Sequence, residues 1–209
     1  MQKEYKFTET WFDGSIPLWT TLFKQYTEQT SDINNVLEIG CYEGRATVWL
    51  CDNVLTNTNQ TYNYDVVDTF GGSLNESGMV NTKSLLDGDE SVIEKTFRHN
   101  ISFHKHVNFT IHKGSSQRVL PTFNLEPKYD FIYIDASHRA DDTFVDAYYA
   151  SKMLKINGLL IFDDYGWKDP KNLHPSNSPE LGVNVFDIMY NQEFTQIFKG
   201  YQVGYIKIA

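Results

Sequence analysis

The sequence predicts a single-domain, doubly wound α/β fold whose mostly parallel seven-stranded sheet ends in an antiparallel hairpin. Three observations predict it. Apolar runs of strand length recur along the chain with amphipathic stretches between them, and such alternation implies parallel strands whose long crossovers are filled by helices. At 209 residues the chain is long enough for one good core and too short for two ordinary domains with a linker. With 41% hydrophobic and 22% charged residues it has the composition of a folded globule rather than a disordered chain.

Taken in order, Ile16, Trp19, Leu22 and Phe23 mark one face of a helix within an N-terminal helical cap over residues 1–30. Strands follow at Asn35–Ile39 and Tyr62–Val67. Residues 71–90, rich in Gly, Ser, Asn and Asp, have no period. They are too long for a simple connector, and read either as a disordered insertion or as a lid over a binding site. Strands at Val107–His112 and Tyr129–Ile134 come next. A helix with Ala147, Ala150, Met153 and Leu154 on one face is ended by Asn157-Gly158, and Gly158–Phe162 forms another strand. After a helix around Val183–Tyr190, the segments Phe194–Phe198 and Tyr201–Ile208 flank Lys199-Gly200 as a hairpin.

Composition narrows the function classes. No apolar stretch reaches the ~18 residues of a membrane span, and the polar start carries no signal segment, so a cytoplasmic location is expected. Two cysteines, Cys41 and Cys51, are too few for a disulfide framework and are expected to be reduced. A net charge of −9 argues against a nucleic-acid surface and for a small-molecule partner. The local cluster His99, His104, Lys105, His106, His112 and Lys113 dissents, but reads as a solvated helix and strand edge. The sequence leaves open a homodimer.

Candidate chemistry lies at the carboxyl ends of the strands, where open α/β sheets bind ligands. Val36-Leu37-Glu38-Ile39-Gly40-Cys41-Tyr42-Glu43-Gly44 is a strand entering a glycine turn that opens a helix. Its G-x-x-x-G spacing is not the dinucleotide fingerprint, and Glu38 would repel a pyrophosphate while suiting an ammonium group. Asp68, ending the second strand, can accept hydrogen bonds from ribose hydroxyls, as in any nucleoside-binding protein of this architecture; Asp65 is expected to face the other way. Lys113-Gly114-Ser115-Ser116-Gln117 could hydrogen-bond an adenine edge or could be a plain turn. Asp135 and the pair Asp163-Asp164 end neighbouring strands. Three converging carboxylates repel unless protons or a cation neutralise them, and oxygen donors favour Mg²⁺ or Ca²⁺; the bland alternative is that Asp163 or Asp164 caps a turn. His138, three residues after Asp135, suits a general base at neutral pH, a metal ligand or a surface histidine equally in kind.

Together these motifs resemble class I S-adenosylmethionine-dependent methyltransferases, a Rossmann-like fold. The resemblance is to a small group with an Asp-x-x-His signature, here Asp135-Ala136-Ser137-His138, and to the metal-dependent catechol O-methyltransferases. It spans nearly the whole chain, from Trp11-Phe12 to the closing hairpin, and its most specific parts include Val67-Asp68-Thr69-Phe70-Gly71-Gly72 and Ile161-Phe162-Asp163-Asp164-Tyr165-Gly166-Trp167. The resemblance implies that Glu38, Gly40, Cys41, Tyr42 and Gly44 line the methionine part of the cofactor. It places Asp68, with Thr69 and Phe70, at the ribose, and Ser115, Ser116 and Gln117 at the adenine. Asp135, Asp163 and Asp164 match metal-ligand positions, and Asp135 also adjoins the cofactor. His138 falls where the catechol enzymes have a lysine base, and Ala46 where they carry a serine near the cofactor carboxylate, with Thr47 as a substitute.

The expected activity is methyl transfer to a small-molecule acceptor, through oxygen and with a divalent metal, with His138 and Asp135 as catalytic residues. A metal-dependent hydrolase and a noncatalytic nucleoside-binding module stay open, and a nicotinamide oxidoreductase is disfavoured by the missing glycine. Trp11, Phe12, Trp19, Phe70 and Trp167 are expected either at the acceptor entrance or in the core.

Overall fold

Strands β1 (Asn35–Ile39), β2 (Tyr62–Asp68), β4 (Tyr129–Ile134) and β5 (Leu154–Phe162) are apolar on both faces over most of their length, which only a sheet covered on both sides can bury. The computed structural model describes residues 3–29, 32–71 and 91–209. The expected lid over 71–90 lies, beyond Gly71, outside the described residues. Together with β3 (Val107–Lys113), β6 (Phe194–Lys199) and β7 (Val203–Lys207), the strands form one seven-stranded sheet in the order β3-β2-β1-β4-β5-β7-β6. Strands β1 to β5 pair in parallel, and β7 runs antiparallel to both β5 and β6. The order reverses at β1, so the switch point faces the β1 and β4 ends.

Side chains alternate between two cores. Val36, Tyr64, Val66, Phe131, Tyr133 and Ile161 face α1 (Ile16–Gln29), α2 (Arg45–Asn53) and α3 (Val92–Ile101). Leu37, Val67, Ile132, Leu160 and Phe162 face α5 (Ala140–Met153) and α6 (Pro179–Tyr190). A short helix α4 (Ser116–Val119) follows β3. Among the described helices none is long and apolar enough to cross a membrane.

Local chemistry sets several boundaries. Ser91 caps α3 by accepting from the Glu94 N–H at 3.1 Å, and its hydroxyl donates to the Phe70 carbonyl at 2.7 Å. Ser178 caps α6, with Pro179 in the first turn. The expected helix end at Asn157-Gly158 is displaced: α5 stops at Met153, and β5 begins at once at Leu154. Asn157, at φ 66°, and Gly158 instead sit at an irregularity where the β4–β5 register shifts. The N-terminal region is more than a cap, because Trp19, Phe23 and Tyr26 are buried in the first core. Before it, residues 3–10 lie without regular structure and enter a 3-10 turn at Trp11–Ser15.

Candidate active site

Side-chain alternation gathers the acids. Glu38 stands two residues after Val36, Asp68 two after Val66, Asp135 two after Tyr133 and Asp163 two after Ile161, so each strand delivers its acid on the α1–α2 face at its carboxyl end. Backbone bonds stitch these ends together: Gly40 N–H donates to Val67 O at 2.8 Å, Asp135 N–H to Ile39 O at 2.8 Å and Asp163 N–H to Ile134 O at 2.9 Å. Gly40 (φ 84°) and Gly44 (φ 82°) use the left-handed region, and the non-glycine residues Tyr42, Phe70 and Asp164 do the same just after β1, β2 and β5. Such conformations persist where the surroundings over-determine them, often at functional sites.

Glu38 is 1% exposed. Its Oε2 accepts from Thr47 Oγ1 at 2.6 Å and from Tyr64 OH at 2.7 Å, while Oε1 is buried with no hydrogen-bond partner among the described residues. Burial pushes its carboxyl up to about 7, against the two hydrogen bonds. Thr47 is thus committed to Glu38, and the part suggested for it at the cofactor carboxylate is not available in this arrangement. Burial, then the neighbouring Asp68 and Glu38 charges, push the Cys41 thiol well up; it is free, as is Cys51.

Asp68 pins the glycine turn. Its Oδ2 accepts from the N–H of Cys41 at 2.6 Å and of Tyr42 at 3.0 Å, and its Oδ1 from Phe70 N–H at 2.6 Å. Thr69 Oγ1 accepts from Gly71 N–H at 3.2 Å. Asp65 lies apart, bonded to Lys128, Tyr129 and His112, as the sequence suggests.

Asp135, Asp163 and Asp164 form the acidic centre. Burial, then the charges of Asp163 and Asp164, hold the Asp135 carboxyl well above its ordinary value. Burial and Asp164 raise Asp163 to about 6. The buried Tyr133 hydroxyl donates to Asp163 and, at 3.3 Å, to Asp135. Gln202 Nε2 donates to Asp163 Oδ2 at 2.9 Å, and Trp19 Nε1 orients Gln202 at 2.8 Å. Asp164 Oδ2 pairs with His138 Nε2 at 2.7 Å, and the His138 ring lies against Trp167 with centroids 4.1 Å apart. The all-oxygen donor set has the chemistry of a hard-cation site. As the side chains stand, however, among the described residues no group of three His, Cys, Asp or Glu side chains is arranged to hold an ion. Asp163 is turned to Tyr133 and Gln202, and Asp164 to His138.

Ser115, Ser116 and Gln117 stand at the β3 end, with Ser116 at the start of α4, buried near Asp146 of α5. Of the five aromatic candidates, Phe12, Trp19 and Phe70 are core, whereas Trp11 is 58% exposed and Trp167 half-buried. The basic cluster is largely neutralised. His112 pairs with Asp65 and Lys113 with Glu94, and burial lowers His104 to about 4. Sequence reasoning misses these roles for Tyr64, Tyr133, Gln202 and Trp19; the two tyrosines carry a usable signal, each being a polar tip on an apolar strand facing the acids.

A cavity opens between the β1 turn and the N-terminal segment, walled by Glu38, Cys41, Ala46 and Asp135 on one side and Phe7 and Phe12 on the other. A wider groove beside the segment after Trp167, lined by Lys168, Leu173, His174 and Asn184, holds none of these acids.

The model of a family described as a methyltransferase domain matches residues 37–165, from β1 to just beyond β5. No curated protein sequence matches the chain. Among solved structures, the chain resembles the O-methyltransferase TomG from Streptomyces achromogenes, involved in tomaymycin synthesis and solved with SAM, with a TM-score of 0.61 at 16% identity over 92% of this chain and 80% of that one. It also resembles an O-methyltransferase from Bacillus cereus in complex with SAH, at TM-score 0.56, 18% identity and coverage of 95% and 82%. The SAH-bound Podospora anserina methyltransferase PaMTH1 follows at TM-score 0.58, 14% identity and coverage of 97% and 80%. At such identities the likeness is one of fold.

Proposed function

Because the chain belongs to the methyltransferase-domain family, we propose that it transfers the methyl group of S-adenosylmethionine to an oxygen of a small-molecule acceptor. The observation that carries the reading is the unpartnered, buried Oε1 of Glu38 at the wall of the β1 cavity. A desolvated acid without a donor is costly, and an ammonium group supplies the missing one. The residues present therefore fit the amino-acid end of that cofactor. The solved relatives crystallised with SAM or SAH support the same ligand.

When bound, the cofactor supplies a methyl group already activated on a sulfonium. The protein's share is position and field. Glu38 and Asp135 meet the cationic end, Asp68 holds the glycine turn against the ribose side, and Ser115, Ser116 and Gln117 border the adenine side. His138, oriented by Asp164 and covered by Trp167, would take the proton that an acceptor hydroxyl gives up on methylation.

A divalent metal is a separate question. The donor chemistry of Asp135, Asp163 and Asp164 suits Mg²⁺ or Ca²⁺, but among the described residues their present arrangement does not fit one.

Calorimetric titration with S-adenosylmethionine, with NAD as the control ligand, tests the cofactor. Saturable binding of the first and none of the second is expected; the reverse overturns the reading. A screen of hydroxylated acceptors with and without Mg²⁺ then tests oxygen transfer and metal assistance independently, since loss of turnover on chelation would restore the metal.

A further inference from the structure

The β1 cavity is a strongly acidic pocket with one cationic side chain. Glu9, Glu38, Glu43 and Asp135 contribute carboxyl groups to its lining, and among the described residues only Arg45 opposes them. Arg45 is held in place from two sides. Its Nε donates to Asp13 Oδ1 at 2.7 Å, its Nη2 reaches the same oxygen at 2.7 Å, and its guanidinium lies 4.8 Å from the centroid of the Phe7 ring. One carboxylate oxygen on one edge leaves the remaining guanidinium N–H groups to a further acceptor.

Of the other side-chain donors near this wall, the Tyr42 hydroxyl is paired with Thr8 at 3.3 Å, and Trp11 offers only a neutral indole N–H on a largely exposed ring. Thr47 is bonded to Glu38, and Ala46 has no donor. The N–H groups of Cys41 and Tyr42, which a ligand carboxylate could otherwise use, are taken by Asp68. Glu43 is closed off by Thr8, whose N–H and hydroxyl donate to it at 2.6 and 2.9 Å. A zwitterionic amino-acid group entering here would find acids for its ammonium and a single cation for its carboxylate.

We propose that Arg45, clamped by Asp13 and Phe7, binds the α-carboxylate of the cofactor's amino-acid end, so that the N-terminal segment is part of the cofactor site. The proposal rests on the S-adenosylmethionine reading and goes beyond it. It gives a chain-specific replacement for the serine that position 46 lacks.

The test compares two ligands on the full chain by calorimetry: S-adenosylhomocysteine, and 5′-methylthioadenosine, which keeps the nucleoside and thioether but has no amino-acid group. Arg45→Gln is expected to weaken S-adenosylhomocysteine about 10- to 100-fold, the range of a lost charge-assisted hydrogen bond, and to leave methylthioadenosine within about twofold. Arg45→Lys should fall between, and Asp13→Asn should weaken S-adenosylhomocysteine alone by less than Arg45→Gln. Equal weakening of both ligands by a folded Arg45→Gln, checked by its melting transition, would overturn the proposal, as would no change in either. If Arg45→Gln does not fold, the Asp13→Asn comparison decides by the same criterion. Wild-type binding to neither ligand would instead remove the cofactor reading itself.

Discussion

A Cβ on Gly40 would stand 1.9 Å from the backbone carbonyl oxygen of Asp135. The β1 turn and the β4 end therefore approach as closely as bare backbone allows, and Gly40 also holds φ 84°. Gly40→Ala should cost several kcal/mol, about 1–2 of it from the left-handed backbone alone, read as a fall in the urea midpoint. Gly14→Ala is the control: among the described residues nothing lies within 4 Å of where its Cβ would stand, and the midpoint should not move.

Glu38 makes stability depend on pH in a definite sense. Its folded value, about 7, lies above the ordinary 4.5, so between these values the folded state keeps a proton that the unfolded chain has released. Stability from this group is then present below about 4.5 and falls as pH rises to about 7. The loss is on the order of 3 kcal/mol. Urea unfolding at pH 5 and pH 8 checks it, because Glu38→Gln should lessen the difference between the two; an unchanged difference would refute the assignment.

Asp146 of α5 is fully buried, and among the described residues neither carboxylate oxygen makes a well-formed hydrogen bond. Burial raises it to about 7 from 3.8, against the neighbouring Ser116, so its contribution has the same sign and is lost over that window. Asp146→Asn should raise stability at pH 8, by on the order of 1–3 kcal/mol after the desolvation of the amide is counted, and do little at pH 4. Destabilisation at pH 8 would mean that the carboxylate has a use at the turn of Ser115, Ser116 and Gln117.

Asp68 serves three backbone N–H groups with two oxygens. Asparagine has one acceptor oxygen, so Asp68→Asn turns an amide NH₂ toward a backbone donor. A loss of about 1–3 kcal/mol is expected, together with weaker binding of methylthioadenosine. Intact stability with weakened binding would show that the carboxylate serves the ligand more than the turn.

Tyr133→Phe removes the hydroxyl shared by Asp163 and Asp135. That hydroxyl favours the ionised acids, so its loss should move the acid limb of the methyl-transfer pH profile upward, with S-adenosylhomocysteine affinity changed by less than about twofold. An unmoved profile would separate the tyrosine from catalysis.

The parallel sheet and the positions of Glu38, Asp68, Asp135 and Asp163 are legible in the sequence because strand periodicity is local: an acid two residues beyond an inward-facing apolar residue lands on the same face. The α5–β5 boundary is not, since Leu154 continues the helical apolar spacing and only pairing with Tyr129 makes it strand. Nor is the Gln202–Asp163 bond, which joins residues 39 apart in sequence by way of the hairpin. Arg45 gives no signal in the sequence because its meaning comes from Phe7, on the irregular residues 3–10, and Asp13, in the short 3-10 turn after them, neither of which carries a periodicity.

Strand β7 slots between β5 and β6, and Gln202 precedes it. Glu38, Asp68 and Asp135 stand on strands β1, β2 and β4, which pair with one another or with their parallel neighbours without the hairpin. Asp163 alone of the four acids draws a donor, Gln202, from the turn before β7. The last strands thus complete both the second core, through Phe194, Val203 and Tyr205, and the acidic centre, and a chain cut before residue 202 would keep Tyr133 as the Asp163 donor while losing the amide from the hairpin.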